Sequence, residues 1–381
     1  MTDLYFGREQ SEAKHQILAR YLTPFANKIL STWASIDFID GFSGPWEHRD
    51  TEHLSDTSIG VSLKTLSDVA EALGHTPEDR RIRCIFNEAK PSSYRLLAEY
   101  VARVREKYPL LKIETFQGEF ATNAPSIRAA ADHAFQLLFV DPTGYTGFPP
   151  SALKLFNGRS SEVIVNFMRS FMERFVSSDH KDRESALVGL LGEKRARYLI
   201  DTGVTIELVE AEYLKMLRAD LKYKYAAFSP IHNPDKNMIQ FNLAYATWHH
   251  EGMEVMRGAE FTALSSHDRA RFKKAKTEQH ASLFDAAGMS DDLEIRGPYL
   301  KKRQEHLERA EQYLTSLLDE HADGIAFAKF AAIAQQSLFL KRSELGDVVV
   351  EMANKGIVQR TWNARSERAT KPNRDDMITQ A

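Results

Sequence analysis

The chain has one cysteine, Cys84, in 381 residues. That excludes an intrachain disulfide framework and any cysteine-cage zinc or iron–sulfur site built by this chain alone. It accords with a reducing cytoplasm, and Cys84 itself lies in an apolar run and reads as a small buried hydrophobe. No uninterrupted apolar run of about 18 residues occurs, so no membrane-spanning helix is expected. The N-terminal "MTDLYFGREQSEAKHQ" lacks the apolar core of a signal peptide. A cytoplasmic protein with no membrane partner is the expectation. The formal net charge of -3 gives no global attraction to nucleic acid, so such a partner needs a local basic patch. His48, His53, His249 and His250 show no metal-ligand spacing, and no metal site is expected.

Apolar residues make up 43% of the chain and charged residues 27%, enough to bury a substantial core. The length suggests roughly two domains. Ile17, Leu18, Tyr21, Leu22, Phe25, Ile29 and Leu30 recur at helical spacing, interrupted by Pro24, and make residues 1–34 a helical preface. From Ser35 onward short apolar runs alternate with helical segments. Parallel strands follow at about 35–40, 82–87, 112–117, 136–141 and 162–167, the signature of a doubly wound, Rossmann-like α/β sheet. Residues 172–222 read as a helical insertion. "KYAAFSPIH" and "MIQFNLAYATW", joined by "NPDKN", read as an antiparallel hairpin that ends the sheet. This domain spans 35–265. Residues 266–381 read as a helical linker, then two short helices, a glycine and a strand-like "IVQRTW", the order of a winged helix. The closing "RSERATKPNRDDMITQA" is polar and reads as a mobile tail.

In an open α/β sheet, ligands sit outside the carboxyl ends of the parallel strands. The first strand ends Asp40-Gly41-Phe42-Ser43-Gly44, the second Asn87-Glu88, the third is followed by Gly118-Glu119, and the fourth ends Asp141-Pro142-Thr143-Gly144-Tyr145. Glycines let backbone amides approach a ligand. A carboxylate such as Glu88 accepts both hydroxyls of a ribose, and Glu119 is placed to receive an adenine amine. A dinucleotide fingerprint has a third glycine and an acidic residue about 20 positions on, whereas Glu88 follows Asp40 at more than twice that spacing. A nicotinamide oxidoreductase is disfavoured. An adenosine cofactor without phosphates, S-adenosylmethionine, suits Asp40, Gly41, Phe42, Gly44, Glu88 and Glu119 better.

The residues "YL.PFANKIL", "IDFIDGFSGPW", "DPTGYTGFP" and "YATWHHEGMEVM" together resemble the three-Cys-motif partner (TcmP) family, over roughly residues 10 to 265 plus a winged-helix-like tail. The resemblance implies a class I methyltransferase-like core. It also implies a pairing with a separate cysteine-motif protein that would supply metal-ligating thiols. Where the family often has Gly-Ser-Pro and Asp-Pro-Phe-Gly, this chain has Gly60-Val61-Ser62 and Asp141-Pro142-Thr143-Gly144.

Asp141 and the Pro142 carbonyl are the candidate catalytic pair, accepting hydrogen bonds from an exocyclic base amine, with Tyr145 as a stacking candidate. The leading expectation is a methyltransferase-like protein acting on nucleic acid, DNA or RNA, with a base amine as the target. The alternative is a non-catalytic recognition subunit that docks a metal-containing partner onto nucleic acid. The basic stretches "ARFKKAK" and "YLKKRQ", with Arg360, Arg365, Arg368, Lys371 and Arg374, are candidates for backbone contact.

Overall fold

Seven apolar runs become strands: β1 (Ile36–Asp40), β2 (Ile82–Glu88), β3 (Leu111–Gln117), β4 (Phe135–Val140), β5 (Ser161–Phe167), β6 (Tyr225–His232) and β7 (Ile239–Thr247). They lie side by side in the order β3-β2-β1-β4-β5-β7-β6. The first five pair in parallel, and β7 runs antiparallel to both β5 and β6. The computed structural model describes residues 4–44, 48–79, 81–131, 134–142, 144, 147–176, 180–233, 238–280, 297–362 and 370–381. All five expected parallel strands are present, each bound within one residue of its expected place, and the hairpin closes the sheet. The fold is mixed α/β and Rossmann-like.

β1, β4 and β5 are buried along their whole length, which requires cover on both faces of the sheet. Helices supply it: α1 (Glu9–Leu30), α2 (Ser58–Ala72), α3 (Pro91–Val104), α4 (Phe120–Ala130) and α5 (Pro150–Leu153). The expected helical insertion is present as α6 (Arg169–Val176), α7 (His180–Leu191), α8 (Glu193–Thr202) and α9 (Ile206–Ala219). The chain builds outward from β1 to β3, then returns to lay β4 on β1's other side. The loops after β1 and β4 therefore diverge, and the crevice between them is the topological switch point where α/β sheets bind ligands.

α1 continues through Pro24 because Tyr21, Leu22, Phe25 and Ala26 are all buried around it, and their packing outweighs one missing main-chain hydrogen bond. Tyr21 also reaches a buried polar cluster. Its hydroxyl donates to Glu162 and lies 2.7 Å from the Tyr245 hydroxyl, while Thr247 Oγ1 donates to Glu162 at 2.6 Å. Burial, then the negative Glu162 beside it, raises the Tyr21 pKa well above its ordinary value. Tyr21→Phe removes a donor from a buried carboxylate and should lower stability by about 2 kcal/mol in urea unfolding. No change would mean that the cluster does not fasten α1.

The chain divides into two compact units, Met1–Trp248 and His249–Ala381, a division just before α10 (His250–His280), whereas position 265, the expected boundary, lies within that helix. The helical linker expected from residue 266 is helical as far as His280. The second unit continues with α11 (Pro298–Glu308), α12 (Ala310–Asp319), β8 (Ile325–Ala326), α13 (Phe327–Gln335), α14 (Arg342–Asn354) and β9 (Met377–Ile378). Leu314, Phe330, Leu345, Val349, Met352 and Trp362 share its core. The run "IVQRTW" contributes one bridge, Val358 to Gln380, and no named strand. The tail expected to be mobile is anchored at its end, where β9 pairs with β8 and Ile378 is fully buried. Arg365 and Arg368 lie outside the described residues. Ser343, Asp347 and Glu351 are exposed at four-residue spacing and so line one side of α14, with Asp347 paired to Lys371. Among the described residues no helix is long and apolar enough to cross a membrane.

Candidate functional site

Two clefts open at the carboxyl ends of the strands, and Phe42, Gly44 and Pro142 line both. The smaller, about 270 Å³, gathers Gly41, Glu88 and Glu119 around those shared residues. The larger, about 410 Å³, is lined by Arg8, Lys14, His15, Asp141 and Asn166, together with Thr57, Ser58 and Ile59 at the start of α2. Gly41, Phe42, Gly44, Glu88 and Glu119 are thus brought together, with Asp141 and Pro142 next door. Tyr145 lies outside the described residues.

The tip of β1 differs from expectation in one respect that matters for ligand chemistry. Its amides turn inward: Gly41 N–H donates to Phe139 O at 2.9 Å, Phe42 N–H to Asp40 Oδ1 at 3.0 Å, Ser43 N–H to Asn87 O at 2.8 Å and Gly44 N–H to Phe42 O at 2.9 Å. None is left to approach a ligand. Gly41 lets the Phe120 ring pack close over the strand tip, since a Cβ there would stand 3.0 Å from that ring. Asn87 ties the strand tips together, donating to Gly41 O at 3.2 Å and Gly118 O at 3.0 Å while accepting from Asn123 at 2.8 Å.

Asp40, expected to touch the cofactor, is not among the residues that line either cleft. It is fully buried, and its second oxygen accepts from Ser58 Oγ at 2.7 Å, so it anchors the loop to the start of α2. Burial pushes its pKa up to about 6, against the lowering effect of the Ser58 and Phe42 hydrogen bonds. Glu88 remains at the rim of the smaller cleft, with Oε1 accepting the Lys90 N–H at 2.7 Å.

Asp141 is held from two sides. Lys14 of α1 forms an ion pair with Oδ2, and Asn166 Nδ2 donates to Oδ1 at 2.7 Å. The adjacent His15 is buried and its Nδ1 lies 3.0 Å from the Tyr5 hydroxyl. Burial and the neighbouring Lys14 charge bring the His15 pKa down to about 3, so the imidazole is neutral near pH 7. Arg8 pairs with Asp56, which also accepts the Arg49 N–H at 2.9 Å. Cation and carboxylate therefore alternate around the larger cleft.

Lys14 and Asn166 escaped sequence reasoning, though each carried a signal. Lys14 stands on the buried stripe of Leu18, Tyr21 and Phe25, where a lysine needs a partner. Asn166 is a polar residue near the end of β5, directly after the apolar run Val163-Ile164-Val165. The chain matches no protein-family model and no curated protein.

Proposed function

We propose that this is an S-adenosylmethionine-dependent methyltransferase-like protein acting on nucleic acid, with a base amine as the target. The observation that carries the reading is the smaller cleft. It presents the carboxylates of Glu88 and Glu119 and the Phe42 ring, while the amides of residues 41–44 are consumed by the protein. Such a lining suits a ligand rich in donors, a ribose diol and an adenine amine. It suits a pyrophosphate poorly, because two carboxylates would repel that group and Lys90 is the one cation among the described residues lining the cleft. The sheet order also departs from the all-parallel 3-2-1-4-5-6 dinucleotide arrangement by inserting an antiparallel strand beside the edge, in keeping with the class I methyltransferase-like core that the resemblance to three-Cys-motif partners implies.

On this reading Glu88 and Glu119 hold the adenosine, and Phe42 packs against it. The bound cofactor supplies an activated methyl group. Asp141 and the Pro142 carbonyl orient the target amine in the larger cleft, and Lys14 and Asn166 fix the carboxylate that does so. The enzyme's contribution is orientation. The C-terminal unit, read as winged-helix-like, presents the substrate.

Asp141→Ala should lower methyl transfer to a mixed DNA and RNA pool by about 100-fold or more, with S-adenosylhomocysteine affinity within a few-fold of the parent. Retained turnover would remove Asp141 from the mechanism. A second reading, a non-catalytic recognition subunit for a metal-containing partner, is favoured by one observation: both oxygens of Asp141 are already engaged by Lys14 and Asn166. Tight cofactor binding with no labelled product would select it.

A further inference from the structure

The structure assigns a second substrate contact that the motifs do not name: we propose that Asn166 Oδ1 accepts an N–H of the substrate, making the larger cleft selective for amino-bearing over keto-bearing bases. This rests on the proposed function and extends it to the choice of substrate. β4 and β5 run in register with Val140 beside Val165, which places Asp141 next to Asn166 just past the end of β4. The orientation of the amide is fixed by its neighbours. A carboxylate accepts only from the nitrogen side, so Nδ2 faces Asp141 Oδ1 at 2.7 Å, and Nδ2 also contacts Met168 Sδ at 3.4 Å. Oδ1 is left buried with no hydrogen-bond partner, although the residue is only 3% exposed and lines the cleft.

A buried acceptor without a partner calls for a physical reason. Val163, Ile164, Val165 and Phe167 show that the strand packs well with apolar side chains, so packing alone does not require an amide at 166. Gln10, on α1 and lining the same cleft, likewise has Oε1 buried without a partner. Asn166 Oδ1 and the Asp141 carboxylate are both acceptors, so at this point of the cleft an amine finds partners and a keto oxygen meets lone pairs. A site built to receive an N–H rejects an analogue lacking it, because its own acceptors then stay unpaired.

Calorimetric titration of the full chain with cytidine and uridine monophosphates, and with adenosine and inosine monophosphates, tests this, each pair differing by amine against keto. The titrations are run with S-adenosylhomocysteine saturating and repeated without it. In at least one pair the amino member should bind about tenfold or more tighter. Asn166→Leu should level that preference to within about twofold while leaving S-adenosylhomocysteine affinity in place. Asn166→Ala, which removes the acceptor with less bulk than leucine, should level it as well, and stands in should the leucine variant fail to fold. Equal binding of both members in both pairs, or a preference that survives in the folded variants, overturns the proposal. Failure of S-adenosylhomocysteine to bind overturns the cofactor reading instead, and leaves the amine preference to be judged by the same titrations.

Discussion

Gly60→Ala is expected to destabilise the protein by about 3–5 kcal/mol, a melting temperature lower by on the order of 10 °C. An added Cβ would stand 2.1 Å from the Leu54 carbonyl oxygen and 2.5 Å from that of His53. Neither carbonyl can step aside. Leu54 O accepts both the Thr57 N–H at 2.9 Å and the Thr57 hydroxyl at 2.8 Å, and His53 O accepts from Tyr100 at 2.9 Å. Leu54 is itself buried at a φ of 50°, a conformation few side chains adopt, so the loop has little slack. Thr57 caps α2 by accepting the Gly60 N–H at 3.2 Å, and Thr57, Ser58 and Ile59 line the larger cleft. Loosening this turn should therefore weaken ligand binding there as well. Thermal unfolding within a degree of the parent would show that the 53–54 backbone moves freely.

Asp40→Asn should do the opposite. The Asp40 pKa stands at about 6 against 3.8 for the free side chain. Because the folded state holds the proton more tightly, the group supports folding fully below about pH 4, and that support is lost as pH rises through 6. Above that point the buried charge costs about 3 kcal/mol. Asparagine keeps an acceptor for Phe42 N–H and offers a donor to Ser58 Oγ, so both hydrogen bonds can persist. At pH 8 the variant should be more stable than the parent by an amount approaching that figure, with the gap closing toward pH 4. Urea unfolding across that range measures it directly, and a pH-independent difference would show that Asp40 titrates as an ordinary carboxylate. Since Asp40 is not among the cleft-lining residues, S-adenosylhomocysteine affinity should change little.

These two residues also mark how far the sequence could be read. The strands were legible because each is a short apolar run bounded by turn residues, and burial on both faces leaves little ambiguity of type. The convergence of Glu88, Glu119 and Asp141 followed from where parallel strands end. The direction of individual groups did not follow. Asp40 and Gly41 sit at a strand tip in either case, and only the positions of Ser58 and Phe120 show that the carboxylate and the missing Cβ serve the protein's interior. Lys14 lies far from Asp141 in the chain, and their meeting depends on how α1 docks across the sheet. The second unit was harder because short strands such as β8 and β9, two residues each, have no pattern of their own and exist only where the tail returns.

The exposed row of Ser343, Asp347 and Glu351 on α14 has an ionic consequence. Ser343 is uncharged and Asp347 is paired to Lys371, so a polyanion laid along that row would meet little net charge, and few condensed counterions would be released there. Rising salt would then change binding at this row little. An affinity that falls steeply with ionic strength would locate the phosphate grip elsewhere.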